Sequence, residues 1–247
     1  MKVKCIDINC DVGEGIANEA DLFPFLTSCN IACGGHFGTK DTMRATVDLA
    51  IKYDVKIGVH PSYPDKENFG RVSMRMSKDL FVNTIKEQIR EFVDLLNEKK
   101  AVLHHIKPHG ALYNDLVKDK ELALAFLESI IVYKERVVLY SPYNSVIAKE
   151  AIKQGFKVKY EAFGDRNYNS DLSLVSRLQK NALISNPKSV LEHIRVMLLQ
   201  EKVKVRSGDL VPIQASTFCV HGDSANALNI LSYLSKELPK LNIAKSE

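Results

Sequence analysis

"HHIKPHGALYND", residues 104–115, follows the apolar pair Val102 and Leu103 and carries three histidines and a lysine around a Pro108–Gly110 break. A short apolar run that ends in titratable groups and then breaks at proline and glycine reads as a strand whose C-terminal tip opens into a loop. Side chains alternate along a strand, so His104 and His105 point to opposite faces. His104, like His193 on a helical segment, is read as a structural or surface histidine. Lys107 and His109 are left at the tip.

The same pattern recurs outward from this stretch. β-Favouring runs at 3–10, 28–33, 55–60, 102–107, 136–140, 156–161 and 215–220 alternate with helical patterns at 39–54, 77–100, 117–134, 144–154, 187–202 and 223–236. Strands separated by helices pair in parallel, because the return to the same edge of a sheet needs a crossover. Seven such strands predict a closed or nearly closed TIM-like (β/α) barrel. In the helix over 77–100, Ser77 is the N-cap, and Leu80, Ile85, Ile89, Phe92, Leu95 and Leu96 recur at helical spacing opposite Lys86, Arg90 and Glu91. One face of that helix therefore packs on the sheet. No Pro- or Ser-rich linker, low-complexity tract or repeat interrupts the rhythm, so residues 1–247 are read as one barrel domain. The stretches 61–76 and 162–186 are expected to be long loops, where function concentrates.

Composition narrows the function classes. Of the 247 residues 45% are hydrophobic and 26% charged, enough for a substantial core, and the net charge of +4 is spread over helical segments without a basic block. A nucleic-acid partner is not indicated. Cys5, Cys10, Cys29, Cys33 and Cys219 form no C-x-x-C pair. No run approaches the roughly 18 apolar residues of a membrane span, nor does the N-terminus resemble a signal peptide. The expectation is a reduced, cytoplasmic protein that contacts no membrane.

Parallel barrels build their sites from loops at the C-terminal strand ends. Strand one ends in Asn9 and Asp11, strand two runs into His36, strand three ends in His60 and strand four in Lys107 and His109. Strand six leads to Glu161, Asp165 and Arg166, and strand seven to His221 and Asp223, whereas the fifth, ending "YSPYN", offers no such group. Each has a plain structural reading: Asp11 as a turn former, Asp223 as an N-cap, Lys107 as an exposed strand end. Their coincidence on one rim makes them candidate site residues. Glycines flank them, as close backbone approach to a ligand requires, but neither G-x-G-x-x-G nor G-x-x-x-x-G-K-[ST] occurs, so any ATP site is unconventional.

The segments "NCDVGEG", "NIACGGHFG", "IGVHPSYPD", "FGRVSM", "IKPHGALYN", "EAFGDRNY", "LVSR" and "CVHGD" occur in an order that resembles the LamB/YcsF family, over residues 7 to 225. That family is associated with the A subunit of the bacterial ATP-dependent 5-oxoprolinase. The resemblance implies a (β/α) barrel of the glycoside hydrolase/deacetylase type. It also implies the hydrolysis of 5-oxo-L-proline to L-glutamate coupled to ATP hydrolysis, with ATP and Mg2+ as co-substrate and with 5-oxoprolinase subunits B and C as partners. One departure is visible: the family's second motif usually has an aromatic residue before its histidine, where this chain has Gly35 before His36 and Phe37 after it.

For that reaction, phosphorylation of the amide oxygen would precede attack by water and loss of phosphate, which calls for an anion clamp, a general base and a proton donor. Lys107 and Arg166 are assigned to anion clamping, with Arg71 a further candidate. Asp11, Glu161 or Asp165 would orient or deprotonate water, and His109 or His221 would shuttle the proton. Asn9, His36, His60 and Asp223 complete the expected binding wall. Asp11, His36, His60 and His109, with His221, are also ligands of the type that hold zinc or a similar divalent ion, although no H-x-x-x-H pair places two on one element. Two other readings stay open: a metal-dependent amidase or deacetylase acting alone, and a non-catalytic protein that captures a carboxylate metabolite for its partners.

Overall fold

A computed structural model describes residues 3–224 and 226–246. Ala225, within the predicted helical segment 223–236, and Met1, Lys2 and Glu247 of the predicted 1–247 domain lie outside the described residues. The strands are β1 (Lys4–Val12), β2 (Ser28–Ala32), β3 (Lys56–His60), β4 (Leu103–Ile106), β5 (Val138–Pro142), β6 (Lys157–Phe163), β7 (Lys202–Lys204), β8 (Leu210–Pro212), β9 (Thr217–Cys219) and β10 (Ile243–Lys245). The α-helices are α1 (Lys40–Lys52), α2 (Lys78–Glu98), α3 (Gly110–Asp115), α4 (Lys120–Ile130), α5 (Val146–Lys153), α6 (Pro187–Gln200) and α7 (Ala227–Glu237).

β1 to β6 and β9 pair in parallel in that order, and β9 pairs back with β1 to close a seven-stranded barrel. β10 adds to Lys4–Ile6 below the point where β9 takes over at Asp7. The barrel is as expected from the alternation of strands and helices. Three elements escaped the sequence reading: the six-residue α3, the β7–β8 hairpin and β10. Each is too short to show periodicity, and all three are held by neighbours and not by local propensity.

Alternation along β1 sends Ile6, Ile8, Cys10 and Val12 outward under the helices and Asp7, Asn9 and Asp11 into the barrel. The helices supply the other half of the core. α2, capped by Ser77, buries Phe81, Ile85, Ile89, Phe92, Leu95 and Leu96, but Leu80 is 56% exposed. The inward stripe begins at Phe81, one position later than expected, which turns Leu80 to solvent. Gln88 sits on the same buried stripe and exchanges hydrogen bonds with the backbone of Ser62, donating from Nε2 to its carbonyl at 2.9 Å and accepting its N–H at 3.1 Å. The loop after β3 is thereby tied to α2.

Gly58 is the clearest case of a residue chosen by space. A Cβ there would lie 2.1 Å from Nε2 of His105, so the bare backbone of β3 leaves the room that this imidazole occupies inside the barrel. Among the described residues no helix is long and apolar enough to cross a membrane. The five cysteines are free thiols.

Candidate active site

The centre of the barrel's C-terminal end is a buried charge cluster. Lys107, the residue after β4, places Nζ 2.8 Å from Asp11 Oδ1, 3.0 Å from Glu161 Oε1 and 3.3 Å from Cys219 Sγ. Burial opposes the ammonium charge, but the Asp11 and Glu161 carboxylates around it hold its pKa well above the usual lysine value. Burial likewise opposes the Asp11 carboxylate, yet His60 and Lys107 hold it well below its usual range. Burial and the Asp11 charge push the Cys219 thiol up, so it stays protonated. Asn9 donates from Nδ2 to Glu161 Oε1 at 2.9 Å and to Thr217 Oγ1 at 2.7 Å. Asn30 donates from Nδ2 to Asp11 Oδ1 and Asn9 Oδ1, both at 2.8 Å, and accepts at Oδ1 from His105 Nε2 at 2.7 Å. The network is continuous from His105 to Lys107, and it holds both oxygens of the Asn9 and Asn30 amides in one orientation.

Beside it stands a wall of histidines. His36 and His109 stack with ring centroids 3.6 Å apart, and His109 Nδ1 lies 2.9 Å from His60 Nε2. Gly13 and Gly15 both hold positive φ, +73° and +79°, and this turn swings Glu14 beneath the rings. Glu14 Oε1 is 3.0 Å from His36 Nε2 and 3.4 Å from His109 Nδ1. Burial and the nearby Asp11 raise the Glu14 pKa. Burial and His60 push His36 down to about 2, and burial with His60 and His36 depresses His109 well below the usual imidazole value, so both rings are neutral. The departure at Gly35 has a spatial cause. A Cβ there would meet Ser62 Oγ at 2.4 Å and Gln88 Oε1 at 2.5 Å, and the aromatic ring sits instead at Phe37, over Gly15.

Across the mouth, Asp165 accepts from His221 Nδ1 and from the His221 backbone N–H, each at 2.9 Å. Burial opposes the Asp165 charge, but His221 beside it lowers its pKa. In the neutral tautomer that donates Nδ1–H to the carboxylate, Nε2 is the acceptor nitrogen of His221. On the rim, Asp223 Oδ2 bridges Arg71 at 3.2 Å and Arg177 at 2.9 Å. Arg166 is buried, donates from Nη2 to Val175 O at 2.7 Å and leaves Nε without a partner.

One cavity of about 980 Å³ joins these groups. Asp11, His60, Lys107, His109 and Glu161 form its floor, and Arg71, Arg166, His221 and Asp223 line its wall and rim. Asn9, His36 and Asp165 lie one layer behind, where they hold Glu161, Glu14 and His221 respectively. The reading of Lys107 as an anion clamp meets a structure in which its charge is already balanced by two carboxylates. Six further residues went unread: Glu14, Asn30, His105, Tyr113, Arg177 and Thr217. The glycines on both sides of Glu14 were its available signal. Tyr113 on α3 turns its buried hydroxyl toward the Glu161 carboxylate, and burial together with that charge pushes the phenol pKa up.

Comparison with known proteins gives one consistent answer. The model of the LamB/YcsF family matches residues 6–247. A protein of Thermococcus sibiricus named as the A subunit of 5-oxoprolinase is 39% identical over 243 residues, covering 96% of this chain and 95% of that one. A Staphylococcus epidermidis protein of the same name is 36% identical over 248 residues, covering 98% of each. Among solved structures, the lactam utilization protein from Thermus thermophilus superposes with a TM-score of 0.89 at 30% identity over 98% of both chains.

Proposed function

Because the chain belongs to the LamB/YcsF family, we propose that it is the A subunit of an ATP-dependent 5-oxoprolinase, opening the lactam of 5-oxo-L-proline to L-glutamate together with subunits B and C. The observation that carries the reading is the meeting, over one cavity, of a carboxylate-oriented imidazole, Asp165–His221, with the Asp11–Lys107–Glu161 cluster. An oriented base facing a fixed array of charge is what amide hydrolysis requires.

The lactam is a resonance-stabilised amide in an unstrained ring, so ring opening needs a coupled drive. Transfer of the γ-phosphoryl group of ATP to the amide oxygen makes the carbon electrophilic. Water adds to that carbon, the C–N bond breaks as nitrogen takes a proton, and the resulting acyl phosphate is hydrolysed by a second water. Two waters and one ATP are consumed, and ADP and phosphate are released with glutamate. His221 Nε2 takes the proton of the attacking water while Asp165 keeps the ring oriented and stabilises the imidazolium. Arg71 and Arg177 on the rim offer planar forks for the substrate carboxylate. Arg166 lowers the cost of charge on the amide and phosphoryl oxygens, while Lys107 holds the Asp11 and Glu161 carboxylates in place beneath them. ATP reaches this mouth with Mg2+; in the absence of a phosphate-binding glycine loop, subunits B and C supply part of its site.

The test is reconstitution with B and C, following glutamate and ADP from 5-oxoproline. The expected result is ATP-dependent turnover that Asp165→Asn lowers about 10²- to 10⁴-fold in kcat without loss of fold by circular dichroism. Amide or acetyl-sugar hydrolysis by the isolated chain without ATP would instead identify a hydrolase acting alone. Tight 5-oxoproline binding without turnover in the full mixture would identify a binding protein.

A further inference from the structure

His60 Nε2 and His109 Nδ1 face each other at 2.9 Å, and each ring is anchored through its other nitrogen. His60 Nδ1 lies 2.7 Å from the carbonyl oxygen of Lys107, and His109 Nε2 lies 3.0 Å from that of Phe69. A carbonyl only accepts, so each of those nitrogens carries its N–H. In a neutral ring the remaining nitrogen is a bare lone pair, and these two, His60 Nε2 and His109 Nδ1, are 2.9 Å apart. Two acceptors at that separation repel unless a positive centre lies between them.

The surroundings are arranged for such a centre. Asp11 Oδ1 is committed to Lys107 and Asn30, each at 2.8 Å, which leaves Oδ2 facing His60 Nε2 at 3.4 Å. Glu14 Oε1 stands 3.4 Å from His109 Nδ1. The ligand atoms of Asp11, His60 and His109 all fall within 4.8 Å of one another. Ligands on a tetrahedral ion with bonds of about 2.0–2.1 Å are about 3.3 Å apart, and the observed 2.9 and 3.4 Å bracket that edge. Lys107 does not fill the gap, since its Nζ is spent on Asp11 Oδ1 and Glu161. Phe69, which supplies the carbonyl under His109, holds φ at +56°, a conformation that a bulky side chain rarely adopts. Strain of this kind persists where the surroundings demand it, and carbonyl anchoring of the distal nitrogen is how ligating histidines are held.

We propose that His60 Nε2, His109 Nδ1 and Asp11 Oδ2 bind a divalent transition-metal ion, with Glu14 beside the open position. The donor set, two imidazoles and a carboxylate, favours zinc or its stand-in cobalt over magnesium or calcium. The ion is a property of this chain alone and is read without subunits B and C, so its fate is separate from that of the 5-oxoproline assignment.

Chelator-treated protein is titrated with Zn2+, Mn2+ and Co2+ by calorimetry, and the Co2+ form is read by visible absorption. The expected result is one ion per chain, an intense low-coordinate cobalt spectrum, and at least a tenfold loss of affinity in His60→Gln and in His109→Gln, while His193→Gln, remote from the cluster, binds normally. The cobalt spectrum of the unaltered chain keeps the test intact should a variant fail to fold. Absence of a stoichiometric ion in the folded chain overturns the proposal, as does binding that survives in folded His60→Gln and His109→Gln. A nitrogen-15 spectrum showing one of the two rings protonated at both nitrogens in saturating Zn2+ assigns the gap to a shared proton and overturns it as well.

Discussion

Nζ of Lys107 sits 2.8 Å from Oδ1 of Asp11, with both side chains shut away from bulk water and Glu161 3.0 Å from the same ammonium. One cation therefore holds two buried carboxylates. The pairing explains why a lysine stands at the end of a barrel strand: either acid alone would be driven to protonate, and the amide network of Asn9 and Asn30 would lose the charges it is built around.

Loss of the ammonium leaves two buried negative charges without compensation. Lys107→Met is expected to cost about 3–5 kcal/mol of stability, the usual penalty for breaking a buried pair from one side. Removing the neighbouring charge as well relieves the repulsion, so Lys107→Met/Asp11→Asn is less destabilised than the sum of the single changes, with a coupling of about 0.5–3 kcal/mol. Urea unfolding of the four proteins of this cycle measures it. Strict additivity would mean that the two groups do not depend on each other.

His105 reaches Asp11 only through Asn30, and it does so through space that Gly58 leaves vacant. Gly58→Ala places a methyl group 2.1 Å from His105 Nε2 and must expel the ring. The expected outcome is a loss of about 1–3 kcal/mol, as for overpacking, together with a fall in turnover. In Gly58→Ala/His105→Ala the clash is absent, and part of the lost stability returns relative to Gly58→Ala alone. Thermal unfolding of the two variants decides the point: an unchanged or lower Tm in the double variant contradicts the spatial argument.

The strand tips were legible in the sequence because Lys107, His109, His60 and Asp11 each interrupt an apolar run at its C-terminal end, and a parallel barrel gathers such ends by topology. The layer beneath was not. Asp7, Asn30 and His105 lie inside strands at alternating positions, a pattern that in an open sheet marks the solvated face, whereas closure of the barrel puts that face in the interior. The partnerships of Asp165 with His221 and of Asp223 with Arg71 and Arg177 span from 46 to 152 positions, so nothing local signals them. Glu14 is intermediate: its two flanking glycines mark a tight turn, but only the fold shows that the turn points the carboxylate at His36 and His109.

Arg71 and Arg177 share Asp223 at the rim, both partly exposed, so their loss should reach substrate more than fold. As a clamp for the 5-oxoproline carboxylate, the pair contributes to binding in both ground and transition states, which appears in KM. Arg177→Ala is expected to raise KM for 5-oxoproline about tenfold and to leave kcat within about threefold. Steady-state kinetics of the reconstituted enzyme test this. A fall confined to kcat would move these arginines from binding the substrate to the chemical step.

Asp7, at the opposite end of the barrel, is fully buried among Ser28, Tyr140 and Lys159. Burial alone would raise its pKa, but Lys159 with hydrogen bonds from Thr217 and Thr27 lowers it from 3.8 to about 2. A lowered folded-state pKa means that the stabilising contribution is complete above 3.8, the unfolded value, and is lost as pH falls from there towards 2. At 1.36 kcal/mol per unit, the amount at stake is about 2.5 kcal/mol. The difference in unfolding free energy between the unaltered chain and Asp7→Asn should therefore be constant from neutral pH to about 5, shrink by about 2 kcal/mol by pH 2, and lose the remainder as pH falls through the folded value. Chemical denaturation across that range measures it, and a difference that holds steady or grows towards acid would show that the Asp7 charge is not what ties the base of the barrel together.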